Sequence, residues 1–223
     1  MHQIIYHDYV ERTEVLGPGK RFVLWLSGCC FECDGCIAQN YHSGSNGKAI
    51  DAEKMCQIIL DTQGIEGITI SGGEPFLQSK ALAELLCNIK KNSNISVIIY
   101  TGFLLRELKH RTGQVKQFIS FDAWDDIEKV LSYTDLLIDG RYIKELDDGR
   151  KCVGSSNQII HNLSDFYNES QIRTYYSTYK RKIEIVVRDG YYLMVGVPDK
   201  DQSDAWLKLK EAISHEYLHS GHT

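Results

Sequence analysis

The chain has 223 residues, 43% of them hydrophobic, with a net charge of −5 and a pI near 5.9. That composition suits one ordinary packed core and supplies no basic stripe, which argues against a nucleic-acid partner. The N-terminal MHQIIYHDYVERTEV lacks the basic and apolar regions of a signal peptide, and runs such as FVLWL and VIIY fall far short of the roughly 20 residues that cross a bilayer. A cytoplasmic protein with no membrane contact is expected, in which the sequons at Asn94, Asn162 and Asn168 carry no meaning.

From residue 22 onward, short apolar runs alternate with helical patterns. FVLWLSG (22–28) reads as a buried strand, 51–62 as a helix burying Met55, Ile58 and Ile59, and GITIS (67–71) as a second strand closed by Gly-Gly. A helix over 77–91 ends in lysines, which suit its negative end, and ISVIIY (95–100) is a third strand. Residues 103–110 form a short helix, 115–121 a further strand, 122–133 a helix and 135–139 a strand. Strands alternating with helices imply an α/β fold of parallel βα units, and right-handed crossovers would curl it into an incomplete, TIM-like barrel. After Ile160 the pattern changes. Residues 164–181 are rich in Tyr and polar groups and read as a loop or irregular helix. Asp-Gly at 189–190 then marks a C-terminal β-hairpin, and 201–217 a last helix. We therefore divide the chain into a core over 1–163 and an extension over 164–223 packed on it. The histidines near its end, His215, His219 and His222, fit a frayed tail.

Seven cysteines without a secretion signal point to thiols or a metal centre. Cys29, Cys30, Cys33 and Cys36 crowd together, whereas Cys56, Cys87 and Cys152 are dispersed and read as inert thiols. Thiolates at C-x3-C-x2-C suit a [4Fe-4S] cluster with one iron left open, though a zinc site remains a competing reading of the spacing. Register is ambiguous as well, because Cys30, Cys33 and Cys36 form C-x2-C-x2-C. Near residue 72, SGGEPF offers glycines for close backbone approach and, in Glu74, a carboxylate for a cationic amine. Both motifs follow strand ends, the rim where parallel α/β folds place their sites.

Taken together, GCCFECDGC and SGGEPF resemble the radical S-adenosylmethionine (SAM) superfamily. The flanks GPGKRFVLWLSGCCFECDGC, VIIYTGF and DLLIDGRYIKEL…GSSNQIIH resemble the activating proteins of anaerobic ribonucleotide reductase, over roughly residues 4–163. Like that subgroup, this chain has Gly35 where many radical SAM proteins carry an aromatic. The resemblance implies that Cys29, Cys33 and Cys36 ligate the cluster, with Cys30 a spectator. It implies that Gly72, Gly73 and Glu74 hold the methionyl end of SAM, and that Thr101 and Asp139 line the pocket. It further implies reductive SAM cleavage, hydrogen abstraction from a glycine of a glycyl-radical enzyme, and a low-potential donor such as flavodoxin or ferredoxin. Arg21 and Arg141 could steer a carboxylate, or be surface charges. GSSNQ (154–158) could close over the site, or simply be a turn. The tail beyond 163 is longer than such activases usually carry, which keeps open a single-cluster enzyme modifying a peptide or small molecule. A non-catalytic metal-binding module is the remaining alternative.

Overall fold

The computed structural model describes residues 2–149 and 152–219. Side chains of 211–219 and residues 220–223, and with them the histidine-rich tail, lie outside what is described. In chain order the elements are β1 (Gln3–Thr13), β2 (Arg21–Leu26), β3 (Lys48–Asp51), α1 (Ala52–Asp61), β4 (Gly67–Gly72), α2 (Ser79–Asn92) and β5 (Ser96–Tyr100). There follow α3 (Leu105–His110), α4 (Gly113–Phe118), α5 (Trp124–Tyr133), β6 (Leu136–Asp139), β7 (Ile159–Asn162), α6 (Glu169–Thr178), β8 (Ile183–Arg188), β9 (Tyr191–Gly196) and α7 (Lys200–His219).

The main sheet has seven strands in the order β3-β1-β2-β4-β5-β6-β7, and β8 and β9 form a separate hairpin. Its centre, β2-β4-β5-β6, is parallel. On the flanks β1 and β7 run antiparallel to their inner neighbours. The parallel strands are buried on both faces, which is why FVLWL and VII read as continuous apolar runs.

On one face Phe22, Leu24, Ile70, Ile99 and Leu137 pack against Met55 and Ile59 of α1, Leu82 and Leu86 of α2, and Ile127 of α5. The opposite face, with Val23, Trp25, Ile98, Leu136 and Ile138, is covered by Tyr176 of α6 and by Leu193 and Val195 of β9. The extension thus supplies the second half of the core. None of the described helices is long and apolar enough to cross a membrane.

Some expectations are corrected here. Residues 115–121 do not form a strand: 113–118 are helical, burying Val115 and bringing Phe118 to 6.2 Å from Phe31. Spacing of three outweighs the apparent alternation because no strand edge lies alongside to pair with it. Residues 169–178 are a regular helix, because Asn168 and Gln171 form a reciprocal capping box. The strands β1, β3 and β7 were not anticipated; their pairing partners are what make them strands.

Arg21 is not a surface charge. It is fully buried, donating from Nε to Thr69 Oγ1 (2.7 Å), from Nη1 to Ser96 Oγ (2.8 Å) and from Nη2 to the Ile68 carbonyl (2.6 Å). Gly67 makes room for it, since a Cβ there would lie 2.3 Å from Nη1.

Candidate iron-sulfur and cofactor site

The cysteine loop leaves the end of β2 and is closed at its base by backbone bonds, from Gly28 N to Tyr41 O (2.8 Å) and from Cys29 N to His42 O (3.1 Å). Inside it, Cys36 N donates to Cys33 O (3.2 Å), and Gly35 takes a left-handed φ of 71°. Phe31 anchors the loop, buried against Phe103 at 4.9 Å, while the Arg141 guanidinium lies 5.2 Å over its outer face. Arg141 is therefore tied to the cysteine loop. A Cβ at Gly35 would stand 3.3 Å from the Lys144 stem and 3.5 Å from the Tyr142 ring, so it is the left-handed backbone that favours glycine there.

The second loop is stitched directly to the first. Gly73 N donates to Leu26 O (2.7 Å) and Glu74 N to Gly28 O (2.8 Å). Here the two glycines admit the protein's own backbone. A Cβ on Gly72, whose φ is +104°, would sit 2.4 Å from Leu26 O, and one on Gly73 would sit 2.0 Å from Gly28 O. Gly73→Ala must therefore push the two loops apart, and we expect the apo protein to lose about 5–10 °C in melting temperature. Gly64→Ala is the comparison: φ is positive there, at 74°, but nothing lies within 4 Å. It should cost only about 1 kcal/mol of backbone strain, and calorimetry of the two variants checks the contrast.

Glu74 is buried and fully engaged by the protein. Its Oε1 accepts from Phe76 N (3.0 Å) and Thr101 Oγ1 (2.8 Å), and its Oε2 from Gly102 N (2.8 Å). Burial pushes its carboxyl up to about 7, against the lowering effect of those three donors. Thr101 thus braces Glu74. Asp139, at the end of β6, caps α3 by accepting from Leu105 N (2.7 Å), and His161 Nε2 stands 2.9 Å from the same oxygen. Sequence reasoning missed His161, which carries no motif and meets Asp139 only through the β6–β7 pairing.

GSSNQ is a self-bonded turn that fastens the return between β6 and β7. Gln158 Oε1 accepts from Gly154 N (2.7 Å), its Nε2 donates to Gly140 O (2.8 Å), and Asn157 Nδ2 donates to Arg141 O (2.9 Å). Arg181, just before β8, grips the same return through Asp147 (2.8 Å) and the Val153 carbonyl (2.7 Å).

Cys29, Cys30, Cys33 and Cys36 are all half-buried free thiols. Burial pushes Cys29 up to about 11 and Cys30 up to about 12, and raises Cys36 as well. Cys29 lies in the fields of Glu74, Cys36 and Cys33, and Cys30 in those of Glu74 and Cys29. The Cys29 Sγ accepts the Phe31 N–H at 3.4 Å. Among the described residues no three His, Cys, Asp or Glu side chains converge on a position for a single ion. A cluster makes no such demand, because each cysteine takes its own iron.

Residues 15–161 match the family of 4Fe-4S single cluster domains, which places the chain in an iron-sulfur class. Its relatives include the anaerobic ribonucleoside-triphosphate reductase-activating proteins of Vibrio cholerae (32% identical over 70% of this chain and 96% of the relative) and Escherichia coli K12 (30%, over 71% and 98%). The protein of the same description from phage T4 is 28% identical, over 68% of this chain and 89% of the relative. The chain belongs to this family of activating proteins.

Proposed function

We propose that the protein is a radical SAM enzyme that activates an anaerobic ribonucleotide reductase. The observation that carries this reading is the direct stitching of the cysteine loop to the Gly72–Glu74 turn, by Glu74 N to Gly28 O at 2.8 Å. It ties the loop that carries Cys29, Cys33 and Cys36 to a turn whose backbone is fixed by its neighbours. Cys29, Cys33 and Cys36 would hold a [4Fe-4S] cluster, and the turn Gly72, Gly73 and Glu74 the amino-acid end of SAM. When bound, cluster and SAM supply a 5′-deoxyadenosyl radical able to take a hydrogen atom from a glycine of the partner.

The chain's own residues bind and orient. Glu74, neutralised in part by its burial, would be held ionised by a cationic amine beside it. Thr101 keeps that carboxylate in place, and Asp139 fixes the start of α3 at the pocket's edge. We read the parallel strands as an incomplete barrel of the core over 1–163, with the extension over 164–223 covering its other face. A flavodoxin- or ferredoxin-like donor would deliver the electron. Free cysteines with no disulfide among them favour a cytoplasmic setting.

The test is anaerobic reconstitution followed by reduction with SAM present. Formation of 5′-deoxyadenosine, and an organic radical signal on the purified reductase only when this protein is added, is the expected result. SAM cleavage with no radical on the reductase would redirect the reading to a peptide or small-molecule substrate.

A further inference from the structure

The helix-side face of the sheet is not covered to its end. Among the described residues the connection from β6 to β7 carries a short helical turn, Lys144–Leu146, and no longer helix over β7. In register Ile159 lies beside Asp139 and His161 beside Leu137, and Leu137 belongs to the helix-side core. Ile159 and His161 therefore face the gap that α3 leaves open. The result is a cavity of about 410 Å³ between α3 and β7, floored by Leu104, Leu105 and Ile159. Ile159 is 54% exposed there.

Its rim is basic, with Arg106, Lys109 and His110 on α3, although the chain as a whole carries −5. At its base sits Asp139, 3% exposed, with Oδ2 taken by Leu105 N and His161 Nε2, and with Oδ1 buried and without a hydrogen-bond partner among the described residues. Among the described residues no further strand lies beyond β7 in the sheet. Thr101 N takes the Ile138 carbonyl, so Ile138 turns its backbone to β5 and its neighbour Ile160 turns its own to the open edge.

An apolar floor, a cationic rim and a free strand edge together fit an extended polypeptide. From this geometry we infer that the groove between α3 and β7 receives an acidic, extended segment of the reductase, with one apolar side chain seated on Leu104, Leu105 and Ile159. The inference rests on the proposed activating function. It adds the docking surface and the chemistry of the segment. The acidic residues would meet Arg106 and Lys109 on the rim.

The experiment measures anaerobic binding of the full chain to purified anaerobic ribonucleotide reductase of the same organism, at low and high salt. Arg106→Glu/Lys109→Glu should weaken binding by about tenfold or more and flatten its salt dependence. Ile159→Thr, which keeps a strand-forming residue while removing apolar surface, should weaken it by about fivefold. Lys54→Glu, on the far helix α1 with its side chain 75% exposed, serves as the charge control and should bind as wild type does. Melting temperatures of all variants verify folding. Groove variants that bind within about twofold of a binding wild type would overturn the groove alone. A wild type that fails to bind the reductase would overturn the groove and the activating reading together, and its 5′-deoxyadenosine yield, measured without the reductase, reports separately on the radical machinery.

Discussion

Cys29→Ala, Cys33→Ala and Cys36→Ala should each leave the reconstituted protein unable to hold a stable cluster and unable to cleave SAM, whereas Cys30→Ala should retain both. Wild type should carry about four irons per chain. The ground is the C-x3-C-x2-C register that the family resemblance implies, with Cys29 lying in the fields of both Cys33 and Cys36. Iron analysis and the visible absorption of the cluster read the outcome. If Cys30→Ala lost its iron and Cys29→Ala kept it, the ligand register would be Cys30, Cys33 and Cys36. Zinc in place of iron would remove the radical reading.

The thiol energetics add a pH signature. With Cys29 at about 11 and Cys30 at about 12, the thiols are protonated near neutrality in the apo protein, and iron must displace those protons. Cluster assembly should therefore be favoured as pH rises from 7 to about 9. Apo stability moves the other way. A group whose pKa is raised by folding stabilises the fold below its unfolded value and loses that contribution as pH climbs through its folded one. For Cys29 that window runs from 9.0 to about 11. Glu74 behaves likewise between 4.5 and about 7. Denaturant melts of the apo protein should show both declines, and Glu74→Gln should remove the lower one.

Arg21→Met should be the most damaging substitution away from the cysteines. The guanidinium is fully buried and reaches Thr69, Ser96, Ile68, Pro18 and Tyr167, with no carboxylate partner among the described residues. It bridges β2, β4 and β5 at their starts and also touches the segment leading into α6. Removing it strands several buried acceptors, at a cost of about 3–5 kcal/mol. That corresponds to a fall of roughly 10–15 °C in melting temperature for a chain of this size. Lysine would not rescue it, since an ammonium on a flexible stem cannot reproduce a planar fork. A loss under about 3 °C would mean that the site relaxes around the vacancy.

Much of the site was legible from the chain alone. GCCFECDGC and SGGEPF are local patterns, and their position after strand ends follows from apolar runs that are equally local. The Asn168–Gln171 capping box is written in NESQ but was not read there, because the Tyr-rich, polar composition around it pointed to a loop or irregular helix. Tertiary structure alone decided what depends on partners distant in sequence. β1, β3 and β7 are strands because an edge lies beside them. Arg21 is buried because Gly17 and Gly67 vacate the space for its stem and fork. The glycines of SGG are required by the backbone of residues 26–28, and Asp139 is paired with a histidine 22 positions on by strand register. Sequence by itself determined which chemistry the chain can carry, since cysteine spacing and hydrophobic period are written within a few residues. Only the fold decided which polar groups are buried, which are satisfied and which face is left open, because burial and register are set by contacts across the whole chain.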